Sequence, residues 1–106
     1  MQNESRFDVR YSPRARRDLQ ASYEWGVENW GREQAENWLR QMDELIIKRL
    51  SFIPLACPLA PENSDFEFEL RQLVVHRYRI LFRIFEETVF VLRIRGPFSG
   101  ESLDLE

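Results

Sequence analysis

The first half of the chain shows one short alternating pattern followed by two longer helical patterns. Residues 7–11 alternate between apolar and polar side chains, which predicts a half-buried strand. Ser12-Pro13 then predicts a helix start, because serine caps helices and proline is tolerated at the first helical position. Gly31 is suited to end the first helix in the left-handed conformation, and the short joint predicts an antiparallel helical hairpin. The two apolar stripes are Ala15, Leu19, Tyr23, Val27 and Trp30, then Ala35, Trp38, Leu39, Met42, Leu45, Ile46, Leu50 and Ile53.

The second half predicts a loop followed by three strands. Residues 54–65 carry three prolines, and Phe66, Phe68 and Leu70 then alternate with glutamates as the start of a strand. The parity changes afterwards, which predicts a bulge or break near Arg71-Gln72. Glu86-Glu87 is a predicted tight turn, and Gly96-Pro97 ends the last strand. The predicted inward rows are Tyr78, Ile80, Phe82 and Ile84, then Phe90, Leu92 and Ile94.

Together these elements predict an α+β fold of order β-α-α-β-β-β. A helical hairpin packs on a mostly antiparallel four-stranded sheet, in one domain that spans residues 1–106. No apolar run is long enough to span a bilayer, and the N-terminus carries no secretion signal. Cys57 is the single cysteine and has no partner for a disulfide. We therefore expect a cytoplasmic protein with no membrane contact.

The net charge of −3 conceals a basic segment near the C-terminus. Residues 71–95 contain six arginines against Glu86 and Glu87, so the local charge is +4 (six minus two). Arg79, Arg83 and two further arginines have the parity opposite to the predicted inward rows, which predicts a basic face that binds a target or a partner. An ordinary solvated face is the alternative. The predicted partner-binding arginines are Arg77, Arg79, Arg83, Arg93 and Arg95.

Trp25 is a further candidate for partner binding. It lies about 140° from the centre of the first helix's apolar stripe, at about 100° per residue. An exposed tryptophan favours contact with a partner, although packing on a terminus would also explain it. His76 and Cys57 each stand without a neighbour at catalytic or metal-ligand spacing. We therefore expect no metal, no cofactor and no hydrolase activity on small substrates.

Several short sequence motifs resemble those of the RelE/ParE superfamily of bacterial toxins. The resemblance covers roughly residues 5–96. It implies a toxin silenced by an antitoxin made beside it, and leaves open an oligomer that includes the antitoxin. The motifs are Tyr11-Ser12-Pro13, Ala15-x-x-Asp18-Leu19, Leu70-Arg71-x-Leu73, Tyr78-Arg79-Ile80-Leu81-Phe82-Arg83-Ile84 and Val89-Phe90-Val91-Leu92-Arg93-Ile94.

Members of the superfamily differ in their targets. RelE-like members cleave mRNA on the ribosome, whereas ParE-like members poison DNA gyrase. Arg79 matches an arginine of the RelE-like pattern, and Arg71 lies beside positions where that pattern has further basic residues. No Arg, Lys, His or Tyr follows Arg95, so the acid–base group is missing. We therefore expect a ParE-like plasmid-stabilisation toxin that inhibits gyrase by binding. The alternatives are a RelE-like mRNA interferase with Arg79 and Arg71 as catalytic residues, or a non-toxic binding module.

Overall fold

The computed structural model describes residues 7–97, Leu103 and Leu105. Two helices and four strands follow one another in the predicted order, with two short 3₁₀ turns at Pro54–Ala56 and Pro61–Asp65 in the predicted loop. Residues 1–6, where no secretion signal was expected, lie outside the described residues. So do residues 98–102, where no acid–base group was expected. The regular elements are β1 (Asp8–Tyr11), α1 (Pro13–Trp30), α2 (Arg32–Phe52), β2 (Arg71–Val75), β3 (Tyr78–Phe85) and β4 (Thr88–Arg95).

Both helix boundaries that the sequence predicted in the hairpin are confirmed. The Oγ of Ser12 accepts a hydrogen bond from the N–H of Ala15 at 3.0 Å, which satisfies a free donor of the first turn. The same hydroxyl donates to the carbonyl of Leu92 at 3.0 Å and thereby joins the start of α1 to β4. Gly31 has a φ of 98°, and its N–H donates to the carbonyl of Val27 at 3.0 Å. Serine and glycine therefore set the limits of α1.

The sheet has the strand order β1-β4-β3-β2. β1 pairs in parallel with β4, and the other two pairings are antiparallel. Two-residue turns at His76-Arg77 and at Glu86-Glu87 connect β2 to β3 and β3 to β4. The predicted Glu86-Glu87 turn and the mostly antiparallel sheet are thus confirmed. No helix within the described residues is long and apolar enough to cross a membrane.

The main core lies between the helical hairpin and one face of the sheet. Residues on the inner face, meaning the face turned toward the helices, include the predicted row of Ile80 and Phe82. A second, smaller core lies on the opposite, outer face, where Leu81 and Leu92 contact side chains from the loop between α2 and β2. That loop therefore covers part of the outer face. The main core consists of Ala15, Leu19, Met42, Ile46, Leu50, Cys57, Leu73, Val75, Ile80, Phe82, Val89, Val91 and Ile94.

The alternation of Phe66, Phe68 and Leu70 does not form a strand, so the predicted strand start was wrong. These three side chains pack on the outer core, while β2 begins only at Arg71. The bulge or break predicted near Arg71-Gln72 is not found, because β2 runs through both residues in continuous register with β3. The alternating pattern reflects a loop segment that lies along the outer face with one side buried, which produces the same period as a strand.

The inward row predicted for β4 was wrong at two of its three positions. Val89 and Val91 face the helices, so the residues between and after them, Phe90 and Leu92, face outward. The register shifts at this point, since Phe82 pairs with Val91 while Leu81 pairs with Arg93, which leaves Leu92 as the extra residue of a bulge. The bulge returns Ile94 to the inner face, as predicted. β4 is apolar on both faces, and its parity alone does not distinguish them.

Candidate partner-binding surfaces

All three guanidinium nitrogens of Arg79 donate hydrogen bonds to residues of the same chain. Its Nη1 and Nη2 donate to the two carboxylate oxygens of Glu62 at 3.0 and 2.6 Å, and its Nε donates to Oε1 of Gln72 at 2.9 Å. The hydrogen bonds from Arg79 lower the pKa of Glu62, so this carboxylate stays ionised. The charge of Arg79 is therefore matched inside the protein, in a two-point geometry that suits a guanidinium.

Arg71 lies on the other face of the sheet from Arg79. It pairs with Phe82 and shares the inner-face parity of Leu73, whereas Arg79 is opposite Val74 and Arg95 on the outer face. The Nη1 of Arg71 donates to the carbonyl of Cys57 at 2.7 Å, and its Nη2 contacts Oε1 of Glu69 at 3.1 Å. The structure therefore does not bring together the two arginines that a RelE-like reaction would have used.

Arg93 contradicts the prediction of an exposed basic face. It is only 8% exposed, and its Nε and Nη2 donate to the two carboxylate oxygens of Asp18 in α1 at 2.8 and 3.2 Å. The N–H of Ile94 also donates to Asp18 Oδ2, at 2.8 Å. The backbone of Arg93 is paired with Leu81 of the outer-face row, so its buried position comes from the reach of its side chain to Asp18 of α1.

Arg95 remains on the outer face but is not an exposed charge. It is 7% exposed and lies across from Arg79. Its charge also lowers the pKa of Glu62. Arg93 and Arg95, the last two arginines of the predicted row, are thus buried. The loop between α2 and β2 covers this part of the outer face.

Arg83 is the member of the predicted row that the outer face still offers. Its Cζ lies 4.4 Å from the ring centre of Phe68 and 5.9 Å from that of Phe85. The Nε of Arg83 is buried, and no residue that the structure describes accepts a hydrogen bond from it. Phe85 beside it is 55% exposed. A half-buried cation stacked on aromatic rings, beside an exposed phenylalanine, fits contact with an external partner.

A series of aromatic contacts connects both helices to β3. Trp25 is 52% exposed, as predicted, and its ring meets that of Trp30 edge to face at a centroid distance of 5.4 Å. Trp30 contacts Trp38 at 6.4 Å, and Trp38 contacts Tyr78 at 5.5 Å. Trp25 therefore packs on Trp30, at the end of α1 nearest the joint, and much of its ring still faces solvent.

These aromatic rings line a cleft of about 550 Å³ between α1 and the β2–β3 turn, which we name the aromatic cleft. His76 and Arg77 lie at its rim, both exposed, and Asp18 and Arg93 form part of its wall. Trp25, Arg77 and Arg93, three of the predicted partner-binding residues, are thus brought together. The lining residues are Asp18, Ala21, Ser22, Trp25, Trp30, Trp38, His76, Arg77, Tyr78, Arg93, Ile94, Gly96 and Pro97.

Sequence reasoning missed the contribution of Trp30, Trp38 and Tyr78 to this cleft. All three occupy apolar stripes and were assigned to the core, although Trp30 is 42% exposed. The available signal was their position, since Trp30 ends α1 and Trp38 follows within the first turns of α2. Residues beside a hairpin joint lie at the edge of the helical layer, where a wide ring is only partly covered.

The titratable groups elsewhere favour structural roles. The hydroxyl of Tyr11 donates to Oδ1 of Asp43 at 2.7 Å, and burial together with this carboxylate raises the pKa of Tyr11 far above its ordinary value. Burial also raises the pKa of the Cys57 thiol, which disfavours the thiolate. No group of three or more metal-ligating side chains occurs in the part of the chain that the structure describes.

Two solved structures similar to this helical hairpin on a mixed four-stranded sheet are described as a toxin–antitoxin system and a toxin–antitoxin complex. The chain superposes with a TM-score of 0.71 on a structure described as the chromosomal ParDE TA system from P. aeruginosa, at 22% identity over 86% of this chain and 96% of that one. It superposes with a TM-score of 0.60 on the toxin–antitoxin complex RelBE2 from Mycobacterium tuberculosis, at 26% identity over 85% of this chain and 96% of that one.

Residues 9–96 match the family described as the ParE toxin of type II toxin–antitoxin systems, parDE. The chain therefore belongs to the ParE toxin family, which confirms the RelE/ParE resemblance. Among curated proteins, none matches the sequence significantly.

Proposed function

We propose that this toxin arrests growth by binding DNA gyrase and that it does not cleave mRNA. The observation that carries the proposal is the separation of Arg71 and Arg79 on opposite faces of the sheet, each engaged by groups of the same chain. Arginines held in this way stabilise the fold. They do not converge on a scissile phosphate.

Cleavage of RNA through its 2′-OH requires a base, an acid and a cation close together. An arginine does not act as the base near neutral pH, because its pKa lies above about 12. The raised pKa of Tyr11 disfavours its phenolate, and its hydroxyl is committed to Asp43. Among the described residues, the acidic side chain bonded to Arg79 is Glu62. Its carboxylate is already engaged in the salt bridge.

Binding to a protein target requires no proton transfer. The outer face offers Arg83 with Phe68 and Phe85, and arginine and aromatic side chains are the residues most enriched at protein interfaces. We assign the gyrase contact to this cluster. Gyrase acts on chromosomal DNA, so the proposed site of action is the cytoplasm.

We also propose that the protein is held inactive by an antitoxin. Both of the similar solved structures are described as toxin–antitoxin systems or complexes, which supports a protein partner of this kind. An assembly of several toxin and antitoxin chains is compatible with this proposal.

The test compares two reactions with the purified toxin. We expect it to increase gyrase-cleaved plasmid DNA after denaturation, and to leave mRNA intact on purified translating ribosomes. Site-specific mRNA cuts that disappear in Arg79→Ala would support the RelE-like alternative, which is favoured by the match of Arg79 to the RelE-like pattern. Normal growth on induced expression would support the non-toxic binding module.

A further inference from the structure

The aromatic cleft exposes adjoining aromatic side chains to solvent. Trp25 and Trp30 are both exposed, and Trp30 also contacts Trp38 deeper in the cleft. Large exposed apolar groups that lie together mark interaction sites more often than isolated ones do. The cleft is therefore shaped to receive an apolar side chain against indole rings.

The charge at the cleft rim is positive. Both carboxylate oxygens of Asp18 are occupied, one by Arg93 and the other by Arg93 and the N–H of Ile94, so this wall is electrically neutral. Arg77 has no hydrogen bond or ion pair with any other residue that the structure describes. One unmatched cation at the rim of an apolar cleft favours a carboxylate beside an apolar anchor.

The turn that presents Arg77 is conformationally strained. His76 has a φ of 50° and Arg77 a φ of 70°, and a two-residue hairpin turn of this kind prefers Asn-Gly. Left-handed backbone costs a residue with a side chain roughly 1–2 kcal/mol. Strain of this kind is concentrated at binding sites, and here it places both side chains of the turn at the cleft rim.

We propose that the aromatic cleft binds an acidic segment of the antitoxin, with an apolar side chain against Trp25 and Trp30 and a carboxylate on Arg77. The inference rests on the proposed antitoxin partner and adds where that partner docks and through which chemistry. A nucleic acid would also stack on indole rings, but its affinity depends on neutralising several phosphates. The cleft offers one unmatched arginine in a protein of net charge −3, which favours a peptide.

Intrinsic fluorescence reports directly on this site, because all three tryptophans of the chain line the cleft. The probes are overlapping synthetic peptides that cover the antitoxin encoded beside this gene, together with the full-length antitoxin. We expect one acidic peptide with an apolar residue to change the emission. Trp25→Ala should raise its Kd about 30-fold, as for an interface anchor, and Arg77→Gln should raise it about tenfold.

Two variants outside the aromatic cleft serve as matched controls. Phe52→Ala removes an aromatic ring of similar exposure at the other end of α2, and Arg10→Gln removes an exposed arginine; neither should change the Kd. Circular dichroism establishes that each variant is folded. Replacing the acidic residues of the peptide by amides should weaken binding to the wild type but not to Arg77→Gln.

Equal affinity of the full-length antitoxin for the wild type and for the Trp25→Ala/Arg77→Gln double variant would overturn the inference and leave the antitoxin partnership standing. Absence of antitoxin binding by the wild type would overturn both. If a single-stranded oligonucleotide changes the emission more strongly than every peptide, the cleft binds a nucleic acid and the inference of a peptide ligand is overturned. The gyrase assay is a separate measurement and does not depend on these outcomes.

Discussion

Asp18 in α1 and Arg93 in β4 form a two-point ion pair across 75 positions of sequence, at the place where β4 bulges. Their side chains are 13% and 9% exposed, so the pair is nearly removed from water. Asp18 also accepts the N–H of Ile94. One carboxylate therefore connects the helical layer to the sheet and forms part of the wall of the aromatic cleft.

Removal of one partner of this pair should strongly destabilise the fold. Asp18→Ala leaves a buried guanidinium and the N–H of Ile94 unsatisfied, so we expect a loss of about 3 kcal/mol in the free energy of unfolding. Asp8→Ala, which breaks the exposed pair with Arg10, should change it by less than about 1 kcal/mol. Urea denaturation measures both. Equal effects of the two substitutions would contradict the structural role of Asp18.

The salt bridge between Glu62 and Arg79 should make stability depend on acid pH. The pKa of folded Glu62 is lowered from its ordinary value of 4.5, chiefly by hydrogen bonds from Arg79. Its contribution is therefore fully present above about pH 5 and is lost as the pH falls through the folded pKa. Both side chains are about a third exposed, so we expect an effect near or below 1 kcal/mol. Urea midpoints measured from pH 2 to 6 should show a shallower slope in Glu62→Gln.

Tyr11 should respond to alkaline pH in the opposite direction. Its pKa is raised well above the ordinary value of 10.0 by burial and by Asp43. The unfolded state loses its phenol proton near pH 10 while the folded state retains it, so stability falls as the pH rises above 10. The phenolate absorbance contributed by Tyr11 should be delayed until the protein unfolds. Tyr11→Phe should remove the delayed component.

Arg83 should matter more for toxicity than Arg79. Arg83→Ala removes a guanidinium that stacks on Phe68 and Phe85 and forms no ion pair with a described residue, whereas the charge of Arg79 is already matched by Glu62. We expect Arg83→Ala to raise the toxin concentration needed for gyrase-mediated cleavage roughly tenfold, and Arg79→Ala to reduce activity only partly. The combined loss of Arg79 and Arg83 should reduce it further. Arg10→Ala is the control, and equal activity of Arg83→Ala and wild type would exclude the assigned contact.

Relief of the strained β2–β3 turn should raise the stability of the fold and weaken antitoxin binding. Replacing His76-Arg77 by Asn-Gly matches the backbone to its preferred residues, and we expect the free energy of unfolding to rise by about 1 kcal/mol. The same change removes the rim cation and should weaken antitoxin binding. Thermal unfolding and fluorescence titration of one sample measure both. A variant that is more stable and binds equally well would show that the turn is not part of the docking site.

The sequence by itself determined the elements whose physics is local. Ser12 caps α1 through its own hydroxyl, Gly31 takes a backbone conformation that other residues disfavour, and Glu86-Glu87 joins two apolar strands with a tight turn. Each depends on residues within a few positions, so a single chain segment carries the information. The exposure of Trp25 followed in the same way from its angle on one helix.

Only the tertiary structure decided which arginines are available. The bulge at Leu92 exists because of pairing between β3 and β4, and one extra residue moves the side chains after it to the opposite face of the sheet. The side chain of Arg93 binds Asp18, a partner distant in sequence, and the loop between α2 and β2 supplies Glu62 to Arg79. The aromatic cleft likewise needs two helices and a turn from separate segments. Such contacts depend on how layers meet, which no periodicity within one segment records.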